Sequence, residues 1–243
     1  MLSNRTLAAV AGARYLLTFV TSFPALALKE SYLRGDGGPL AAQWGAVLEI
    51  FLALACIGTA VFLYPIARKS SSALAIGFVA SRVLEASTIV MGVLALLSVM
   101  TRREAEQMNT EQMSSGITAS EATSVSVSDS ESILVALHDW AFLLGPGLIP
   151  AVNALLLGTI LYAARLVPRI IPLVGLIGAP LLAVSALGTI LGVVDQVSPL
   201  AGLLALPIAV WEFSLGVWLV IKGVNSDYAA IPRLPQHATV DTQ

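Results

Sequence analysis

The chain has 243 residues, 57% of them hydrophobic and 12% charged, with a formal net charge of −2 and a mean hydropathy of +0.86. A soluble domain of this length carries about 25% charged residues, so the composition excludes a water-solvated globule and calls for lipid around much of the surface. No basic run offers nucleic acid an electrostatic footprint, and one cysteine, Cys56, excludes an intrachain disulfide or a thiolate metal cluster.

A spanning helix needs about 20 apolar residues. The first stretch that qualifies is 7–28. It begins after Arg5, and Ala25-Leu26-Ala27 is similar to a small-x-small cleavage site, but Arg14 interrupts the apolar run, so it reads as an uncleaved helix. The second and third spans are 43–66 and 73–100. Residues 101–131 then form a polar loop with two arginines and six acids, within which 105–113 suits a short helix and 114–127 suits mobile polar chain. Ser128 and Glu131 have capping-box spacing and predict a helix over 128–144. Gly145-Pro146-Gly147 and Pro150 break that helix. It therefore lies along the membrane interface before the fourth span, 141–166, or continues into that span as one bent helix. The fifth and sixth spans are 171–194 and 199–221, and a polar tail fills 224–243. Pro24, Pro180 and Pro207 fall inside spans, where neighbouring helices can satisfy the freed carbonyls. The fold class is thus all-α: a polytopic membrane helical bundle of six transmembrane helices with an interfacial helix before the fourth.

Flanking charge gives the orientation. Arg5, Arg68, Lys69, Arg165, Arg169, Lys222 and Arg233 flank one side, and Lys29, Arg34, Arg102 and Arg103 the other. The richer side is expected to be cytoplasmic, with both termini and the tail there and the 101–131 loop outside.

Charges within the spans are the informative feature, because each costs about 2.5–3.5 kcal/mol on insertion scales. Arg14, Glu49, Arg82, Glu85 and Glu212 are all retained. Arg82 and Glu85 are three apart and share a helix face. Lipid cannot solvate that face, so it turns inward together with Glu49 and Glu212. The expectation is an intramembrane polar cluster centred on Arg82, walled by Trp211. A guanidinium fork can hold two carboxylates. Two arginines against three glutamates leave one carboxylate over, which suits a proton- or cation-linked site; the bland alternative is a structural lock between helices.

His138 and Asp139 precede Trp140 near the outer end of the fourth span, and Asn153 lies within it. Adjacent helical residues point about 100° apart, so His138 and Asp139 make no catalytic pair by themselves. The other histidine, His237, is in the tail, which argues against paired haem ligands and a histidine metal centre. Phosphate-loop, zincin, nucleophile-elbow and dinucleotide signatures are missing from the sequence. No catalytic residue, metal ligand or cofactor is expected. The expected partners are the lipid bilayer and either a membrane protein or a second copy of the chain, not nucleic acid.

Four segments carry a family resemblance: Gly12-Ala13-Arg14-Tyr15-Leu16-Leu17, Arg82-Val83-Leu84-Glu85, Ala164-Arg165-Leu166-Val167-Pro168-Arg169, and the ending from Trp211-Glu212-Phe213 to Trp218-Leu219-Val220-Ile221-Lys222-Gly223. In this succession the chain resembles a bacterial membrane-protein family described as domain of unknown function 4386. The resemblance implies a six-helix fold in a bacterial plasma membrane and no particular activity. Three functions remain in view: a non-enzymatic partner or regulator of a membrane complex, a small-molecule or proton- or cation-linked transporter, and a lipid-modifying membrane enzyme.

Overall fold

A computed structural model describes residues 2–114 and 124–225, with side chains at 2–111 and 130–225. Residues 115–123 of the polar loop, the Ser128 side chain of the capping box, and the tail from 226 with His237 lie outside the described residues.

Among the described residues the secondary structure is entirely helical: α1 Asn4–Leu33, α2 Pro39–Ala67, α3 Ser72–Ser114, α4 Ser124–Leu144, α5 Ile149–Ala163, α6 Ile170–Ile190 and α7 Pro199–Ile221. Ser3 and Ser198 cap α1 and α7 by accepting from the Thr6 and Ala201 amides. With α4 and α5 counted as one path, six helices are long and apolar enough to cross a bilayer, as the sequence predicts.

The bounds differ most around the polar loop. Residues 101–114 continue α3 instead of leaving it as loop. That stretch has no Gly or Pro and is rich in Arg, Glu, Gln and Met, which favour helix. Arg102 and Glu106 pair along it at 3.7 Å, a spacing that supports a helix. Arg103 donates to the Tyr32 and Leu33 carbonyls at 2.6 and 3.2 Å, tying this extension to the end of α1. α4 then runs back antiparallel to α3. Arg103 bonds Glu131 at 2.9 Å, His138 Nδ1 sits 3.0 Å from the Gly92 carbonyl, Gly145 abuts Thr88, and in α5 Asn153 reaches Ser81. The register carries through the Gly145–Leu148 turn without a slip.

The six paths close a ring in which α1 packs on α2, α2 on α3, α3 on α5, α5 on α6, α6 on α7, and α7 on α1. The N-terminus of α1 and the C-terminus of α7 share one end, where Arg5 donates to the Ile221 carbonyl at 2.7 Å. We call this the Arg5 end and the other the Gln196 end. Packing differs between them. The main core fills the Arg5 half with Tyr15, Leu63, Phe78, Leu157, Leu161, Leu215 and Leu219. There α1 and α7 approach so closely that a Cβ on Gly12 would stand 2.6 Å from the Gly216 carbonyl oxygen. Toward the Gln196 end the remaining core clusters lie on α1, α2 and α3, and the buried residues of α7 begin only at Ile208. The outer half of α7 therefore stands away from the packed interior.

Candidate functional site

Arg82 lies about three turns into α3, 1% exposed. Its Nη1 donates to Glu85 Oε2 at 2.9 Å and its Nη2 to Glu212 Oε1 at 2.7 Å, so one guanidinium joins α3 to α7. Glu85 Oε2 also accepts from Asn153 Nδ2 at 2.7 Å, and Asn153 Oδ1 accepts from Ser81 Oγ at 2.5 Å. These bonds bring α5 into the network. Lipid offers no competing partner, so the helices are registered by the need to satisfy these groups. The Arg82 guanidinium also lies over the Tyr15 ring, 4.9 Å from its centroid, and 3.7 Å from Cys56 Sγ.

The aromatic floor of the network follows from small residues opposite it. Trp211 is fully buried and meets Tyr15 edge-on, with ring centroids 6.5 Å apart. It fits because α6 presents Gly175, where a Cβ would fall 2.5 Å from the indole. Phe78, one turn below Arg82, completes this layer. From here toward the Arg5 end the main core cluster fills the space between the helices.

Two cavities lie on the other side. A chamber of about 190 Å³ holds Arg82, Glu85 and Glu212 at its wall, with Cys56, Thr18 and Ser22. A larger vestibule of about 620 Å³ opens between α4, α6 and the outer half of α7, and its rim includes Gln196, Ser198 and Thr189. Phe23, Pro146, Leu182, Ala205 and Ala209 line both, so the two adjoin across a shared wall. Glu212 is the carboxylate at the boundary: its side chain is 13% exposed against 6% for Glu85. Only its Oε1 has a hydrogen bond among the described residues.

The structure thus brings together Arg82, Glu85, Glu212, Trp211 and Asn153. It does not bring Glu49 or Arg14 to them. Glu49 is buried in a second ion pair, 2.6 Å from Lys29 Nζ, and its Oε2 has no hydrogen-bond partner among the described residues. Lys29 also lies 4.2 Å over the Phe142 ring, so this pair staples α1, α2 and α4. Sequence reading places Lys29 outside the first span; α1 in fact runs one turn further, and Lys29 is 2% exposed. Arg14 is half-buried with its stem along Gly58 of α2, and it has no hydrogen bond or ion pair among the described residues. His138 is 2% exposed and packs on α3 through Gly92. Asp139 is on the surface of α4, its carbonyl accepting from Gln196 Nε2 at 3.2 Å. Among the described residues no three of His, Cys, Asp and Glu are grouped to hold a metal ion.

Ser81 and Lys29 are the polar residues that sequence reasoning passes over. Ser81 adjoins Arg82, and only its pairing with Asn153, 72 positions away, reveals it. Comparison with curated proteins and with solved structures finds no match. Residues 10–223 match the family model described as Domain of unknown function (DUF4386), and the chain belongs to that family.

Proposed function

We propose that the protein is a carrier that takes up a small, apolar-bodied cation from the Gln196 end and holds it against Glu212 within the bilayer. The observation that carries this reading is the adjacency of the vestibule to the chamber, which share five lining residues. A structural lock needs no approach path, whereas this one ends on a carboxylate with an uncommitted oxygen. The charge balance points the same way. One arginine faces two glutamates, so with all three ionised the chamber carries one negative charge and favours a cation or a proton over an anion. The vestibule walls are mainly Leu, Ala and Phe, which suits a ligand whose body is apolar. The packed Tyr15, Phe78 and Trp211 layer supports a state closed toward the Arg5 end, one half of an alternating-access cycle. By flanking charge that end is cytoplasmic in this reading, and the bilayer is a bacterial plasma membrane.

The test is equilibrium binding of tetraphenylphosphonium to the full chain in mild detergent, followed by counterflow in proteoliposomes. Glu212→Gln removes the charge and keeps the shape, and is expected to lower affinity by about tenfold or more. Ala209→Trp fills the passage and leaves every charge in place, and is expected to block uptake. Unchanged binding in both folded variants would sink the carrier reading. A stable co-purifying membrane protein with no cation uptake would favour the partner role instead.

A further inference from the structure

At the Arg5 end the C-terminal ends of α5 and α7 meet. The Asn225 amide donates to the Leu166 carbonyl at 2.9 Å, which ties the two ends together. Beside that bond lies a cavity of about 540 Å³ lined by Arg165, Arg169, Lys222, Trp218 and Asn225 among others. Among the described residues its lining has three cations and no carboxylate. All three cations are exposed. Arg169 is laid over the Tyr162 ring, 4.9 Å from its centroid, which restrains the guanidinium plane.

The backbone gives a second, independent sign. Arg165 has φ 50, the only positive φ outside glycine among the described residues. It occupies the position after the helix C-cap, and the Leu166 amide closes the turn onto the Leu161 carbonyl at 3.2 Å. Glycine adopts that conformation at least cost, and the chain does place Gly223, φ 76, at the matching point of α7. A residue with a Cβ is disfavoured there. The turn itself is met at less cost by glycine, and the arginine that stands there places its side chain in the cavity lining.

The geometry points to a binding site for the phosphate of an anionic phospholipid headgroup. Two guanidinium forks match phosphate oxygens and the Lys222 ammonium adds a point charge. Trp218 supplies an indole of the kind that settles at headgroup depth. Ile170 and Ile221, beside Arg169 and Lys222, are 65% and 59% exposed, so acyl chains have an apolar surface next to the headgroup. Basic pockets between membrane helices hold such lipids. This site lies at the opposite end of the bundle from the vestibule and does not rest on the carrier reading.

The test uses the full chain in mild detergent, offered equimolar dioleoyl phosphatidylglycerol and dioleoyl phosphatidylcholine, with retained adducts read by native mass spectrometry. Phosphatidylglycerol is expected to be retained by about tenfold or more. The Arg165→Gln/Arg169→Gln/Lys222→Gln variant is expected to lose that preference. Arg68→Gln/Lys69→Gln, which removes two cations of the same end outside the cavity, is expected to keep it. Arg165→Gly guards against misfolding: it frees the backbone, so its thermal midpoint should not fall, while the preference for phosphatidylglycerol should. A preference that survives in folded triple and Arg165→Gly variants overturns the proposal, as does equal loss in the Arg68/Lys69 variant. Inorganic phosphate that displaces the lipid at equal concentration overturns the lipid as occupant; failure to displace it supports the lipid.

Discussion

Lys29 and Glu49 form a buried pair whose two halves depend on each other. Removing one charge strands the other, which typically costs about 3–5 kcal/mol, whereas replacing both by apolar groups is often neutral. Lys29→Met should therefore destabilise the chain by about that amount in detergent unfolding, and Lys29→Met/Glu49→Leu should recover most of it. Equal losses in the two would mean that the pair is not a coupled unit. This pair also shows what the sequence withholds. The run 7–28 stops where Lys29-Glu30 begins, so hydropathy assigns Lys29 to the surface. Arg103 extends α1 past that point by bonding the Tyr32 and Leu33 carbonyls from some 70 positions away. Glu49, left without Lys29, then reads as a member of the Arg82 cluster. By contrast Arg82, Glu85 and Glu212 are legible as a group, because lipid forbids them any other direction.

Between elements, small residues set the distances. α1 and α7 cross at Gly12 and Gly216, with the Gly216 carbonyl oxygen and the Val220 amide nitrogen against the missing Cβ of Gly12. Backbone cannot rotate aside, so Gly12→Ala should cost about 1–3 kcal/mol by overpacking. Thermal unfolding checks this, and a midpoint equal to wild type would show that the crossing can open freely. The same change should leave the Lys29–Glu49 pair untouched, since the two sites share no partner. The antiparallel track of α4 and α5 along α3 has no local signal. Gly145-Pro146-Gly147 announces a break, but the contacts that carry the register across it, Gly92 with His138 and Ser81 with Asn153, pair residues 46 and 72 positions apart. A polar composition likewise disguises 101–114 as loop, although its residues favour helix and Arg103 ties its start to α1 and α4.

For the molecule as a whole, the six apolar paths are legible from hydropathy alone, since the bilayer admits little else, whereas their order around the ring is not. Nor is the uneven packing of the ring's two halves. It depends on which small residues meet across helices, and it is what leaves the vestibule open on one side. In a Cys56→Ala background, Ala205→Cys should react with an impermeant thiol reagent added at the Gln196 end, and Ala154→Cys, fully buried in the Arg5 half, should stay unlabelled. Labelling of Ala205→Cys from the Arg5 end only would reverse the orientation of the path. The length of α3 has a practical side. Its 43 residues extend about 64 Å at 1.5 Å per residue, roughly twice the hydrocarbon thickness of about 30 Å. A 25.3 kDa bundle dissolved in a micelle is close to a featureless cylinder for electron cryo-microscopy, with nothing to fix its up, down or azimuth. The protruding shaft, off-centre and braced by α4, is a built-in fiducial that particle alignment can use without an antibody fragment.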